Sequence, residues 1–277
     1  MAVAYNKGSN HISATKMNYF HYFLKQLTGY TLHPSIETTA RSTGRIADLG
    51  TQTAIWPIDV ADDHHSLSTG EIDAFDISDA FFPPSAWLPP NVKLHLHDIY
   101  KPFPEQFRGQ FDIIHLRLFL TLSKSQVDTI LQNAMTLLKP NGYIQWTEHD
   151  KTSITPTSTS PDIDLATSAA QHFIDLQKQP FPNYDALWVN SIAPLMQSAG
   201  LSVIAEDRIK VRQSMLSQIN ELHLLSLMDV PKGLSKAIDA FRDDGWLEKL
   251  KGEYKKGVST VDGFIVVVGK KAKSSEN

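Results

Sequence analysis

A chain of 277 residues with 26 Lys+Arg, 30 Asp+Glu and no cysteine has the length of one large domain, or of one domain carrying a helical extension. Its 42% hydrophobic content suffices to fill a core and excludes wholesale disorder, while a formal charge of −4 offers no global attraction to nucleic-acid phosphates. The missing cysteines exclude disulfide frameworks, thiolate zinc sites, iron–sulfur clusters and cysteine nucleophiles.

No stretch approaches the ~18–20 consecutive apolar residues of a membrane span, and MAVAYNKGSNH carries no signal pattern. The expectation is a soluble, cytoplasmic protein with no membrane or nucleic-acid partner. RIADLG (45–50) is a short apolar strand stopped by glycine, and TAIWPIDVADD (53–63) after it has helical spacing at Ile55, Ile58 and Val60, with Pro57 tolerated in a first turn. EIDAFDIS (71–78) is a second strand, inside a stretch from Asp59 to Asp79 that holds seven acids and no Lys or Arg. NVKLHLHDI (91–99) alternates with period two, FDIIHLRLFL (111–120) begins as a strand, and KSQVDTILQNAMTLLK (124–139) is an amphipathic helix closed by Pro140-Asn141-Gly142. YIQWTEHD (143–150) is a fifth strand. The Ser/Thr/Pro-rich TSITPTSTSPD (152–162) is expected to interrupt the alternation ahead of two helices near 162–178 and 184–199. LSVIAEDRIKVRQ (201–213) and VDGFIVVVGKK (261–271) are late strands, with helical material near 214–228 and 234–256 between them, and 272–277 reads as a frayed tail. Strands separated by helices or loops define an α/β, doubly wound class with a mostly parallel sheet.

The chemistry is sought where such sheets bind ligands, at the carboxyl ends of the strands. The first strand ends in Asp48-Leu49-Gly50-Thr51-Gln52-Thr53-Ala54 and runs into a helix, so loop amides would meet a ligand at a helix start. The second ends in Asp76, about 26 residues beyond Gly50, an offset suited to accepting hydrogen bonds from ribose hydroxyls. The third ends in Asp98, whose carboxylate can accept from an adenine amino group. Each acid alone reads equally well as a turn or cap residue; three in order on successive strand tips make coincidence a poor explanation. His95 and His97 share a strand face and His64-His65 are adjacent, but the spacing completes no three-ligand set and no metal is expected. Trp56, Trp87, Trp146 and Trp188 can line an apolar pocket or fill the core.

On these segments, together with YNKGSNHISATKMNYFHYFLKQLTGYTLHPSI (5–36) and LLKPNGYIQWTEHD (137–150), the chain resembles the class I S-adenosylmethionine-dependent methyltransferases, and more narrowly those of fungal secondary metabolism. The resemblance implies a Rossmann-like sheet of seven strands, the last antiparallel, over residues 45–271 with a helical insertion about 160–200, and a helical lid over 1–44. It implies S-adenosylmethionine as cofactor, with Asp48, Gly50 and Thr51 at its methionine end, Asp76 on the ribose, Ile77 beside the adenine, and Asp98 with Ile99 at the amino edge. His115 and Arg117 would stand at the cofactor and substrate side of the fourth strand. A hydrophobic small molecule with an oxygen or nitrogen acceptor would be the substrate, and a homodimer is left open.

The family loop reads roughly Asp-x-Gly-Thr-Gly-Thr-Gly, and this chain has Gln52 and Ala54 at the second and third glycine positions. Alanine is expected to be tolerated at a helix start. If position 52 needs a positive φ, a side chain there costs on the order of 1 kcal/mol and competes with the cofactor for space. A base helps methyl transfer to a hydroxyl, and the candidates at or near strand tips are His149, His115 and Glu148, with His11 and His21 on the lid. The altered loop also admits a non-methylating enzyme on the same scaffold, a cyclase, isomerase or pericyclase. A regulatory binding protein is a third reading.

Overall fold

The computed structural model describes residues 11–62, 70–119, 122–178, 186–233 and 235–273. The first ten residues of the expected lid, His64-His65 and the tail from 274 lie outside the described residues. Helix α1, His11–Thr28, ends at Gly29, whose φ of +83° lets its N–H close on the Lys25 carbonyl at 2.8 Å. There follow α2 (Thr38–Thr43), β1 (Ile46–Leu49), α3 (Ile55–Asp62), β2 (Ile72–Asp76), β3 (Val92–Leu96), β4 (Phe111–Arg117) and α4 (Lys124–Leu137). A capping box starts α4: Ser123 accepts from the Gln126 amide and the Gln126 side chain reaches back to the Ser123 amide. The second half runs β5 (Leu138–Ser158), α5 (Ala169–Lys178), α6 (Ile192–Ser198), β6 (Leu201–Lys210), α7 (Leu216–Asp229), α8 (Lys236–Asp243), α9 (Trp246–Lys255) and β7 (Val258–Lys271).

The strands form one sheet in the order β3-β2-β1-β4-β5-β7-β6. Neighbours from β3 to β5 are parallel, and β7 runs antiparallel to both β5 and β6. This is the mostly parallel, Rossmann-like sheet with a reversed last strand. Strand order turns back at β1, so the tips of β1 and β4 flank the crevice where doubly wound sheets bind ligands. Strand β4 shows why the sheet is sealed on both sides. Ile114 and Leu116 enter a core with Val127, Ile130, Leu131 and Trp146, whereas Ile113 packs with Ile46, Trp56 and Tyr143 on the other face.

The Ser/Thr/Pro-rich stretch does not interrupt the sheet. Strand β5 continues to Ser158, with Thr155 to Ser158 paired against Val261 to Val258 of β7. A register shift between Asp150 and Thr155 absorbs the misfit, and the β-branched Thr and Ile residues suit an extended backbone. Gly263 is required opposite that bulge, since a Cβ there would stand 1.9 Å from the Ser153 hydroxyl.

Helix α1 is docked on this assembly. Phe23, Leu24 and Leu27 pack against Met215, Ile219 and Leu222 from the α7 region and Phe264 of β7. Each such buried side chain contributes roughly 1.5–3 kcal/mol. Among the described residues, no helix is long and apolar enough to cross a membrane.

Candidate functional site

The loop after β1 turns sharply. Gly50 has φ +78°, and Gln52 and Ala54 have φ +52° and +57°, so both residues in the altered glycine positions occupy the left-handed region. The tolerance expected for Ala54 therefore does not hold as stated: its backbone carries the same strain as that of Gln52. The loop amides are turned inward. Those of Gly50 and Thr51 donate to the Phe75 carbonyl at 2.8 and 3.0 Å, that of Gln52 donates to Asp76 Oδ2 at 2.9 Å, and that of Ala54 to the Thr51 carbonyl at 3.0 Å. The Thr51 hydroxyl is buried and has no hydrogen-bond partner among the described residues. A Cβ on Gly50 would stand 2.7 Å from the Phe119 ring, so this aromatic covers the glycine face.

Asp76 lies at the β2 tip. One carboxylate oxygen accepts from the Gln52 amide at 2.9 Å and the other from the Ser78 amide at 3.1 Å, with the Ile77 amide a third backbone donor to the carboxylate. Burial pushes its pKa up, and the backbone donors pull the other way. Ile77 beside it is 45% exposed, an apolar shelf. Asp98 caps its own turn through the Tyr100 amide at 3.0 Å, and Ile99 is buried against the core.

Asp48 pairs in register with Ala74, two residues before Asp76, and so shares its sheet face. Its Oδ1 accepts from His115 Nδ1 at 2.7 Å, and both side chains are buried. The His115 ring lies parallel to Trp56 of α3, centroids 3.7 Å apart. Burial pushes the His115 pKa down, opposed by the Asp48 carboxylate. Two residues on, Arg117 Nη1 donates to His21 Nδ1 at 3.0 Å. Arginine has no acceptor, so this nitrogen of His21 holds a lone pair and Nε2–H donates to Asp59 Oδ2 at 3.0 Å. Lys25 bonds both oxygens of Asp59, at 2.9 and 2.8 Å, and Thr53 donates to Asn18 at 2.7 Å. Helix α1 is thus tied by polar contacts to β4, to α3 and to the loop after β1. Burial lowers the pKa of His21 and holds the Arg117 guanidinium down at about 10. Between α1, Trp56, His115 and Arg117 remains a cavity of about 20 Å³, room for one water.

Glu148 and His149 point to opposite faces of β5. Glu148 is fully buried; Oε1 accepts from the Phe119 amide at 2.9 Å and from Trp146 Nε1 at 2.8 Å, while Oε2 has no partner among the described residues. Burial pushes its pKa up to about 8, so at neutral pH it holds a proton. Burial likewise brings Lys151 down to about 8. His149 bonds Asp262 of β7, Nε2 to Oδ2 at 2.8 Å, and its ring lies against Phe264.

The acids at positions 48, 76 and 98 therefore occupy three strand tips in the order expected, with Gly50, Thr51, Ile77 and Ile99 adjoining them. His115, Glu148 and His149 do not converge on one point: each has a different partner. His11 lies exposed at the start of α1. The Asp262 carboxylate, the Phe119 cover and the His21–Asp59 tie were missed by sequence reasoning. Asp262 carried one signal, an acid inside the apolar run VDGFIVVV, since such a residue is buried only with partners.

The strand order and the reversed last strand define a class I, Rossmann-like methyltransferase fold. Curated relatives include fungal methyltransferases and regulators of secondary metabolism: the chain is 38% identical over 112 residues to methyltransferase grgD of Penicillium sp, a match spanning 38% of this chain and 39% of that protein. It is 25% identical over 232 residues to N-methyltransferase tcpN of Claviceps purpurea, covering 79% of this chain and 80% of that one. Among solved structures, the fold matches phosphoethanolamine N-methyltransferase 2 of Haemonchus contortus in complex with S-adenosyl-L-methionine, with a TM-score of 0.53 at 12% identity, over 98% of this chain and 59% of that one. No protein-family model matches the chain.

Proposed function

We propose that this protein is a cytoplasmic enzyme that transfers the methyl group of S-adenosylmethionine to a nitrogen or oxygen of a hydrophobic small molecule in fungal natural-product biosynthesis. The observation that carries the reading is the row Asp48, Asp76 and Asp98 on three strand tips at the switch point. The relatives in fungal secondary metabolism support it. The residues present fit the cofactor. The Thr51 hydroxyl is a buried polar group still lacking a partner, which the methionine tail would satisfy. The acceptor capacity that Asp76 keeps beyond its backbone donors would take the ribose hydroxyls, Ile77 would cover one adenine face, and Asp98 with Ile99 would hold the amino edge. Gln52 and Phe119 set the room at the methionine end.

When bound, the cofactor brings a methyl group already activated on a sulfonium. What falls to the chain is to hold the acceptor in line, exclude water and take a proton. Helix α1, fastened through His21 and Asn18, serves as the lid. His115, His149 and Glu148 are the groups able to handle a proton near strand tips. Calorimetric titration with S-adenosylmethionine tests the reading: binding is expected, and no heat at millimolar cofactor overturns it. A second reading, a cyclase, isomerase or pericyclase on the same scaffold, is favoured by the two left-handed side chains at positions 52 and 54 and by Phe119 against Gly50. Label from the cofactor methyl appearing in products of an apolar amine and phenol panel would refute that alternative.

A further inference from the structure

The buried polar cluster around Asp262 lies outside the cofactor row. Asp262 is 0% exposed on β7. Its Oδ2 meets Nε2 of both His149, at 2.8 Å, and His223 of α7, at 2.9 Å, and its Oδ1 accepts from the Thr260 hydroxyl. Burial pushes the carboxyl pKa up, but the two imidazoles facing it hold it far below the usual carboxylate range, so it is an anion that only accepts. Both histidines therefore donate to it through Nε2, which leaves Nδ1 as the ring nitrogen turned toward other partners.

The two Nδ1 atoms differ in what they face. Nδ1 of His223 lies 3.3 Å from the Tyr254 hydroxyl and 3.5 Å from the Thr260 hydroxyl, inside the core. Nδ1 of His149 has no hydrogen-bond partner among the described residues and is not wholly enclosed; its side chain is 7% exposed against 6% for His223, so the two rings differ in partners and not in exposure. The ring plane is set by Phe264, whose centroid is 5.0 Å away at 24°, and Phe264 in turn touches Phe20 of α1 at 5.9 Å. In register, Thr147 pairs with Arg117 at the end of β4, so His149 stands two residues, roughly 6–7 Å, past that strand tip on the face that α1 covers.

We infer that Asp262 is a positioning residue that fixes His149 with Nδ1 presented as the proton acceptor for the substrate, His223 sharing the same carboxylate oxygen. The inference rests on the small-molecule methylation reading. The acceptor's N–H or O–H proton passes to Nδ1, the bonding pair stays on the acceptor atom as the nucleophilic pair, and the imidazolium formed is balanced by the Asp262 carboxylate. A thiol, a phenol or an amine bound as its ammonium can donate in this way; a carbon acceptor without an acidic proton cannot.

Nitrogen-15 spectra of the histidine rings in the full chain test the geometry without turnover, the His149 signals being assigned by their loss in His149→Gln. The expected result is His149 protonated on Nε2, and loss of that preference in Asp262→Asn. A His149 proton on Nδ1, or a tautomer unchanged in Asp262→Asn, overturns the inference. Should Asp262→Asn fail to fold, acylation by diethyl pyrocarbonate with peptide mapping decides the point in the wild type: His149 is expected to react at least about tenfold faster than the enclosed His115, and equal rates refute it. With an apolar amine or phenol acceptor, His149→Gln is expected to lower kcat by roughly 10²–10⁴-fold while leaving the Kd for S-adenosylmethionine unchanged. An unchanged kcat overturns the role. Calorimetry separates the two failures: absent cofactor binding defeats the methylation reading, whereas the ring spectra judge the His149 geometry alone.

Discussion

Replacing Gln52 with glycine is the sharpest perturbation of the loop. Its φ of +52° places an L side chain in the left-handed region, at a cost of about 1–2 kcal/mol. Glycine removes that strain but adds about 0.5–1 kcal/mol of chain entropy to the unfolded state. Gln52 is only partly buried, and its amide bond to Asp76 is kept in the variant. The net expectation is a gain of about 0.5–1 kcal/mol, or a Tm rise of roughly 1–4 °C in a chain of this size. Ala54→Gly relieves similar strain at φ +57°, yet it removes a fully buried methyl worth about 0.8 kcal/mol, so it is expected to be close to neutral. Thermal and urea unfolding of both variants provide the measurement. Cofactor affinity, read by calorimetry, is expected to rise in Gln52→Gly as the side chain leaves the methionine end. A Gln52→Gly protein less stable by more than about 1 kcal/mol would refute the strain argument.

Three further outcomes follow from the buried groups. His21 is held neutral by burial, whereas the unfolded chain takes a proton near 6.5; the unfolded state then binds more protons, so stability is intact above that pH and lost as pH falls below it. His21→Gln is expected to flatten this part of the urea-midpoint profile. Glu148 keeps its proton up to about 8 in the folded state but releases it near 4.5 when unfolded, so stability drops as pH rises between these values; Glu148→Gln is expected to be the more stable protein at pH 8 by chemical denaturation. Trp56→Ala removes a buried ring stacked on His115 and is expected to cost about 3–5 kcal/mol, a loss below about 1 kcal/mol showing that the stack does not hold α3 to the sheet.

Local pattern was sufficient for much of the fold. Alternating or continuous apolar runs marked β1 to β4, α4 announced itself through its period, and Gly50 stopped β1 where a ligand loop begins. The three acids were legible because a strand tip is a position in sequence as well as in space. The second half of β5 was not legible, since Thr, Ser and Pro read as loop until β7 supplies the hydrogen bonds that make them strand. The left-handed backbone of Ala54 was equally hidden: alanine suits a helix start, and only the packing of the loop amides on Phe75 and Asp76 forces the turn before α3 begins. Pairings such as His115 with Asp48, 67 residues apart, and His149 with Asp262, 113 apart, depend on strand order and register. The amino-acid sequence by itself determined the element types and the ordered acids, because these follow from short-range periodicity and turn chemistry. Which histidine is enclosed, which is tied to α1 and which keeps an open nitrogen was decided only by the tertiary structure, because burial and partner are properties of the assembled sheet.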